Sequence, residues 1–135
     1  MSEQITKEQL FGGIAAPSEP HMACVLLLDI SSSMKGAPIQ SLNEAIAKFK
    51  QQVCQDPLAR KRVEVAIVTF ETHVEIVSDF MPIDQMPTIT LEPGGQTHMA
   101  EAIQVAIDLV KKRTREYQGV GVPCFKPWIF MITDR

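Results

Sequence analysis

The sequence of 135 residues lacks several features that would place it in a particular class of protein. Its three cysteines, Cys24, Cys54 and Cys124, show neither an even-numbered disulfide framework nor the spacing of metal ligands. Its apolar runs fall short of the ~20 residues that span a bilayer. The amino terminus lacks the basic and apolar regions of a secretory signal. We therefore predict free thiols, a reducing compartment and a cytoplasmic location.

The chain also lacks the excess of basic residues that would favour nucleic acid or an anionic membrane as partner. The net charge is −3, from 13 Lys and Arg against 16 Asp and Glu, so neither partner is predicted. Basic residues cluster at 60–62 and 111–113, and we interpret both clusters as solvated helix or loop surfaces. The apolar fraction of 45% and charged fraction of 21% are ordinary for one soluble globular domain.

The first half of the chain has the pattern of a β-α-β unit. Residues 23–28 are apolar without alternation, as in a strand that is covered on both faces in a parallel sheet. Pro38 suits the first position of a helix. Apolar residues at three- and four-residue spacing continue that helix as far as Asp56-Pro57, where the proline ends it. A second strand, rich in β-branched residues, is predicted over 63–70.

The second half predicts two more strands and another helix. A very short connection after residue 70 permits only an antiparallel neighbour, which we place at the edge of the sheet, near Val74. A helix with an apolar face follows Thr97, and an unbroken apolar strand covers Trp128–Ile132. The predicted fold is therefore a Rossmann-like, doubly wound α/β domain, with a mostly parallel sheet and one antiparallel edge strand. Residues 1–20 have the composition of a flexible arm, and 21–135 carry the fold.

Oxygen-bearing side chains follow the strands of this predicted sheet. Asp29, Ser31 and Ser33 come directly after the first strand, and Asp134 comes directly after the last. If the first strand lies between the second and the last, the strand order reverses between the two aspartates, and ligands bind at such reversals. The loop that ends in Thr97 opens onto the same crevice. Three segments would then deliver two carboxylates and three hydroxyls to one place.

A hard divalent cation needs such a mixture of oxygen ligands. Each residue taken singly has a simpler interpretation: Asp29 as a helix cap, Ser31 and Ser33 as turn formers, Thr97 as an N-cap and Asp134 as a loop acid. Their coincidence at one crevice favours the metal site over these separate interpretations.

The motifs Asp29-x-Ser31-x-Ser33, Gly94-Gly95-Gln96-Thr97 and Ile132-Thr133-Asp134 resemble the metal-ion-dependent adhesion site of von Willebrand factor type A domains. The resemblance covers about residues 22–135, and the segment from 26 to 39 looks most like bacterial intracellular members related to tellurium-resistance proteins. It implies Mg²⁺ or Mn²⁺ bound directly by Ser31 and Ser33. Asp29, Asp134 and Thr97 would bind it directly or through water. It also implies a non-catalytic role in which a protein partner offers an Asp or Glu to the metal.

Two departures from the family pattern lead to further expectations. Ser32 stands where relatives often have glycine, which is tolerable unless the backbone there has a positive φ. Family domains also continue past the equivalent of Asp134, so the sequence looks truncated, with the C-terminal half of the domain missing. The strand Trp128–Ile132 would then be left at an edge, and we predict self-association through it.

Two alternative functions are considered beside the binding module. Haloacid-dehalogenase-type phosphatases also place an aspartate after the first strand, with Mg²⁺, but they require a second aspartate where this chain has Ser31. A Gly-x-Ser-x-Gly nucleophile elbow is absent from the sequence. His98, beside Thr97, is a candidate for a minor role in the site or a solvated residue in the first turn of its helix. The remaining alternative is a truncated remnant without function.

Overall fold

The structure is a computed structural model that describes residues 14 and 16–133. Its strands are β1 (Met22–Asp29), β2 (Val63–Phe70), β3 (Val74–Pro82) and β4 (Trp128–Ile132). They form one sheet in the order β3-β2-β1-β4. β1 pairs in parallel with β2 and β4, and β2 pairs in antiparallel fashion with β3. This confirms the predicted α/β class, the antiparallel edge strand and the reversal of strand order beside β1.

The helices are α1 (Ala37–Gln55), α2 (Pro57–Arg62) and α3 (Met99–Gly119). The two long helices were predicted, but the short α2 was not. The sequence contains a signal for this helix, the Asp56-Pro57 pair. In the structure the Asp56 carboxylate accepts hydrogen bonds from the backbone N–H groups of Leu58 and Ala59. The Asp-Pro pair that ends α1 therefore also caps and starts α2.

The core explains why β1 is apolar without alternation. Leu26 and Leu28 pack on the face that α1 covers, while Val25 and Leu27 pack on the face that α3 covers. Each successive side chain of a strand points to the opposite face, so a sheet with helices on both sides buries every position. Cys24 lies in the same core, where burial raises the pKa of its thiol to about 12. Cys24 therefore behaves as a small buried hydrophobe.

β4 departs from its predicted burial. Trp128 is 54% exposed and Met131 is 41% exposed, although the pattern predicted cover on both faces. Phe130 contacts Phe49 of α1, with ring centroids 5.8 Å apart. Among the described residues β1 is the only strand that pairs with β4, so its other edge carries backbone groups with no neighbouring strand.

The cluster at residues 111–113 is not a purely solvated surface, so that interpretation was wrong for Arg113. Its guanidinium binds both carboxylate oxygens of the buried Glu64 on β2, at 2.8 and 3.0 Å. The Tyr117 hydroxyl donates to the same carboxylate, and the guanidinium lies over the Tyr117 ring. Burial alone lowers the pKa of Arg113, but the hydrogen bonds and charge of Glu64 outweigh this effect and raise it. These residues fasten α3 to β2.

Only part of the predicted amino-terminal arm can be compared with the structure. Residues 1–13 and 15 lie outside the described residues, so the arm stays a prediction. Ile14 is buried together with Ala23, Tyr117 and Val122. In the described part of the chain, no helix combines the length and the apolar character needed to cross a membrane.

Candidate metal centre

Three loops meet at the carboxyl end of the sheet, because β1 and β2 both end there. The loop after β1 is joined to the end of β2 by the bond from the N–H of Ile30 to the carbonyl of Phe70, at 3.0 Å. It is joined to the loop before α3 by two more bonds. Gly94 N–H donates to the Ile30 carbonyl at 2.8 Å, and Ser32 N–H donates to the Gly95 carbonyl at 2.9 Å. Backbone bonds thus fix the loops relative to each other.

The carboxylate of Asp29 lies at the centre of this arrangement and is fully buried. Its Oδ1 accepts hydrogen bonds from the backbone N–H of Ser31 at 2.8 Å and from the Ser31 hydroxyl at 2.6 Å. The Thr97 hydroxyl approaches the same oxygen at 3.5 Å. Oδ2 accepts a hydrogen bond from the Thr133 hydroxyl at 2.7 Å. A buried carboxylate needs several donors of this kind to offset its lost hydration.

Ser33 extends the hydroxyl cluster toward solvent. Its Oγ lies 3.1 Å from the Oγ of Ser31, and the Ser33 side chain is exposed while Ser31 is buried. The structure therefore brings together four of the five predicted ligands: Asp29, Ser31, Ser33 and Thr97. The fifth, Asp134, lies outside the described residues.

Thr97 does not have the simpler role of a helix cap. The N-cap of α3 is His98, whose side chain makes no capping hydrogen bond. Thr97 lies one residue earlier, and its hydroxyl faces Asp29 instead. His98 itself is exposed, in agreement with a solvated residue at the start of the helix.

Thr133 was not among the predicted ligands, yet its hydroxyl lies against Asp29. The register of β4 on β1 explains this contact, because Leu28 pairs with Ile132 and the next residues come together where both strands end. The sequence carried a signal for it, since Thr133 is the first polar residue after the apolar strand and precedes Asp134. The predicted ligands included three hydroxyls, but only Asp134 was taken from the end of this strand.

The turn between β2 and β3 supports the loop before α3. Gln96 N–H donates to the Thr72 hydroxyl at 3.0 Å. Gly95 has φ +78°, and a Cβ there would lie 2.0 Å from a carboxylate oxygen of Glu71. The positive φ favours glycine here, and any other side chain would in addition displace the Glu71 carboxylate. Hydrogen bonds from the backbone of Thr72 and His73 lower the pKa of Glu71, so a negative charge lies beside this loop.

The chemistry of these donors fits a hard cation such as Mg²⁺ or Mn²⁺. Because the Ser31 hydroxyl donates its hydrogen to Asp29, its oxygen acts as an acceptor toward other groups, as a metal ligand must. The 3.1 Å between the oxygens of Ser31 and Ser33 is close to the edge of an octahedron with Mg–O bonds of 2.0–2.1 Å, which is about 2.9 Å. In the described part of the chain, no three His, Cys, Asp or Glu side chains form a cluster suited to a metal. A site here would therefore depend on hydroxyls.

The expectation for Ser32 is consistent with the structure. Among the described residues other than glycine, only Ala16 has a positive φ. Serine at position 32 is therefore compatible with the turn that brings Ser31 and Ser33 onto the same side of the loop.

Comparison with known proteins gives a family match and a set of similar structures. The sequence model described as the von Willebrand factor type A domain matches residues 24–134. The von Willebrand domain of the type V pili tip protein Mfa5 from Porphyromonas gingivalis is 25% identical, with a TM-score of 0.52 over 69% of this chain and 33% of that chain. A structure of three N-terminal domains of Mfa5 gives the same identity and TM-score, over 18% of its length.

A second protein shares the fold alone. A membrane-spanning protein from Vibrio fischeri, described as uncharacterized, is 16% identical with a TM-score of 0.53, over 70% of this chain and 51% of that chain. The chain thus spans between about a fifth and a half of these solved chains. No curated protein matches the sequence.

Proposed function

The chain belongs to the von Willebrand factor type A domain family, whose members are typically protein-interaction modules, and we propose that it binds a protein partner through a divalent cation. The observation that carries this proposal is the hydroxyl cluster at the buried Asp29 carboxylate: Ser31 and Thr97 approach the carboxylate itself, and Ser33 lies against the Ser31 hydroxyl. Ser31 and Ser33 would hold Mg²⁺ or Mn²⁺, together with Asp29, Thr97 and Asp134. The bound cation would supply a positive charge to an Asp or Glu of the partner.

Asp29, Ser33 and Glu71 would contribute to cation binding in different ways. Asp29 accepts hydrogen bonds from the Ser31 and Thr133 hydroxyls and holds their oxygens in place. Ser33 is exposed, so the site is open to a partner on its side. Glu71 adds negative charge beside the loop and favours a cation over an anion. The location in the cytoplasm and the closer likeness to tellurium-resistance-related proteins remain predictions from the sequence.

Binding fits the site better than phosphatase chemistry does. A nucleophilic aspartate must present an oxygen to its substrate, whereas both oxygens of Asp29 accept hydrogen bonds within the buried cluster. The position two residues on carries the Ser31 hydroxyl instead of a carboxylic acid that could donate a proton. We therefore propose a non-catalytic module.

Replacing Ser33 by alanine is expected to weaken Mn²⁺ binding by about 10- to 100-fold, because one direct oxygen ligand is lost. Ser32→Ala is the matched control, since both serines are exposed and only Ser33 contacts the hydroxyl of Ser31. The measurement is calorimetric titration of each protein with MnCl₂ and MgCl₂. Equal affinity of the two variants, or a wild type that binds neither metal, would contradict the proposed site.

A second copy of the chain is also proposed as a partner, at the free edge of β4. Exposed apolar edge strands pair readily with other strands, and Trp128, Ile129 and Met131 are exposed on this one. We expect the wild type to elute as a dimer or larger species in size-exclusion chromatography with light scattering, and Met131→Lys to elute as a monomer. Ile76→Lys on the other edge strand, β3, is the control. A stable monomeric wild type would refute this partner.

A further inference from the structure

The two oxygens of the Asp29 carboxylate receive hydrogen bonds from different segments of the chain. Ser31 and Thr97 approach Oδ1, whereas the Thr133 hydroxyl donates to Oδ2 at 2.7 Å. The two groups of donors come from different segments of the chain, since Ser31 follows β1 itself and Thr133 follows β4. The bond to Thr133 is also among the shortest at the site, as hydrogen bonds to a charged acceptor are.

The χ2 torsion of aspartate is broad, and rotation about it moves both carboxylate oxygens together. The bond from Thr133 to Oδ2 therefore adds to the restraint that the Ser31 bonds to Oδ1 place on the plane of the group. With that plane fixed, Oδ1 stays directed at the Ser31 hydroxyl, and the hydrogen of this hydroxyl stays directed at Oδ1. The Ser31 oxygen then stays in place 3.1 Å from the Ser33 oxygen, the other hydroxyl proposed to bind the cation.

We infer that Thr133 is the positioning residue that orients the Asp29 carboxylate and, through it, the hydroxyl ligands of the metal centre. This inference rests on the proposed function, because it concerns the affinity of the same site for a cation. Thr133 acts through Asp29 and need not touch the metal. It also makes the metal centre depend on the pairing of β4 with β1, because that register brings Thr133 to Asp29.

The test compares Thr133→Val, which keeps the branched shape and removes the hydroxyl, with Thr133→Ser, which keeps the hydroxyl. Outer-shell partners of metal ligands commonly change affinity by 10- to 100-fold, so we expect Thr133→Val to weaken Mn²⁺ binding by about that factor. Thr133→Ser should restore the wild-type affinity. Titrations are made on folded protein, at a temperature well below the midpoint of each variant. A valine variant that binds Mn²⁺ like the wild type would overturn the inference.

A second measurement needs no metal and separates this inference from the proposed function. The ¹³C resonance of the Asp29 carboxyl carbon, assigned with Asp29→Asn, is recorded in the presence of a chelator. We expect Thr133→Val to shift that resonance and Thr133→Ser to leave it close to its wild-type position. An unchanged resonance in the valine variant would overturn the role of Thr133 whether or not the wild type binds Mn²⁺. A wild type without Mn²⁺ affinity would refute the metal site. The ¹³C resonance would then still test whether Thr133 orients the Asp29 carboxylate.

Discussion

Asp29→Ala is expected to abolish Mn²⁺ binding, with a loss of affinity beyond about 100-fold, because losing the central carboxylate should cost more than losing an outer-shell partner. The same substitution should lower the free energy of unfolding of the metal-free protein by about 3 kcal/mol. The reason is that buried donors left without an acceptor cost about 1–3 kcal/mol each, and three donors lie within 2.8 Å of the Asp29 oxygens.

The two effects are measured separately. Calorimetric titration with MnCl₂ gives the affinity, and urea unfolding in the presence of a chelator gives the stability. In the wild type, Mn²⁺ at 100 times its dissociation constant should add about 2.7 kcal/mol to the free energy of unfolding, and this gain should vanish in Asp29→Ala. Asp84→Ala, at an exposed acid outside the site, is the control for the loss of one negative charge. Retained Mn²⁺ stabilisation in Asp29→Ala would contradict the proposed centre.

Arg113→Met should lower the free energy of unfolding by about 3–5 kcal/mol, because it leaves the buried carboxylate of Glu64 without its bidentate partner. The Arg113 and Glu64 side chains are only 12% and 3% exposed, so water cannot replace the lost bonds. Tyr117 still donates one hydrogen bond to Glu64, but it carries no charge. The reduced stability is measured by urea unfolding at neutral pH.

The double variant Glu64→Leu with Arg113→Met tests the cause of that loss. If the unpaired charge is responsible, removing both charged groups should recover most of the stability, as apolar replacements of buried ion pairs do elsewhere. Lys112→Met, at an exposed neighbour of Arg113, is the matched control and should change stability by less than about 0.5 kcal/mol. A single Arg113→Met variant as stable as the wild type would refute a structural role for the pair.

Sequence patterns were reliable where one physical rule decided the outcome. The unbroken apolar run of β1 indicated cover on both faces, and α1 and α3 provide it. The very short link after β2 left only an antiparallel neighbour, and β3 is that strand. Local backbone geometry and the two-residue period of strands act within a few residues, so the chain order is enough to infer them.

Patterns failed where a contact depends on residues far apart in the chain. The basic cluster at 111–113 looked solvated, yet Arg113 reaches Glu64, 49 residues earlier. The β-branched residues of β2 gave no hint that the glutamate among them is paired with Arg113. Such pairings depend on how the helices pack against the sheet, which no local pattern encodes.

The loop after β1, which carries Ser31 and Ser33, illustrates which features the sequence determines and which depend on the tertiary structure. The sequence by itself determined that Asp29, Ser31 and Ser33 follow a buried strand, and strand order then predicted which loops would approach them. Only the tertiary structure decided that the carboxylate is buried with hydroxyl donors at both oxygens, and that Thr133 is one of them. The physical reason is the register of β4 on β1. Because Leu28 pairs with Ile132, the ends of the two strands meet, and Asp29 contacts Thr133 although the two residues are 104 positions apart in the chain.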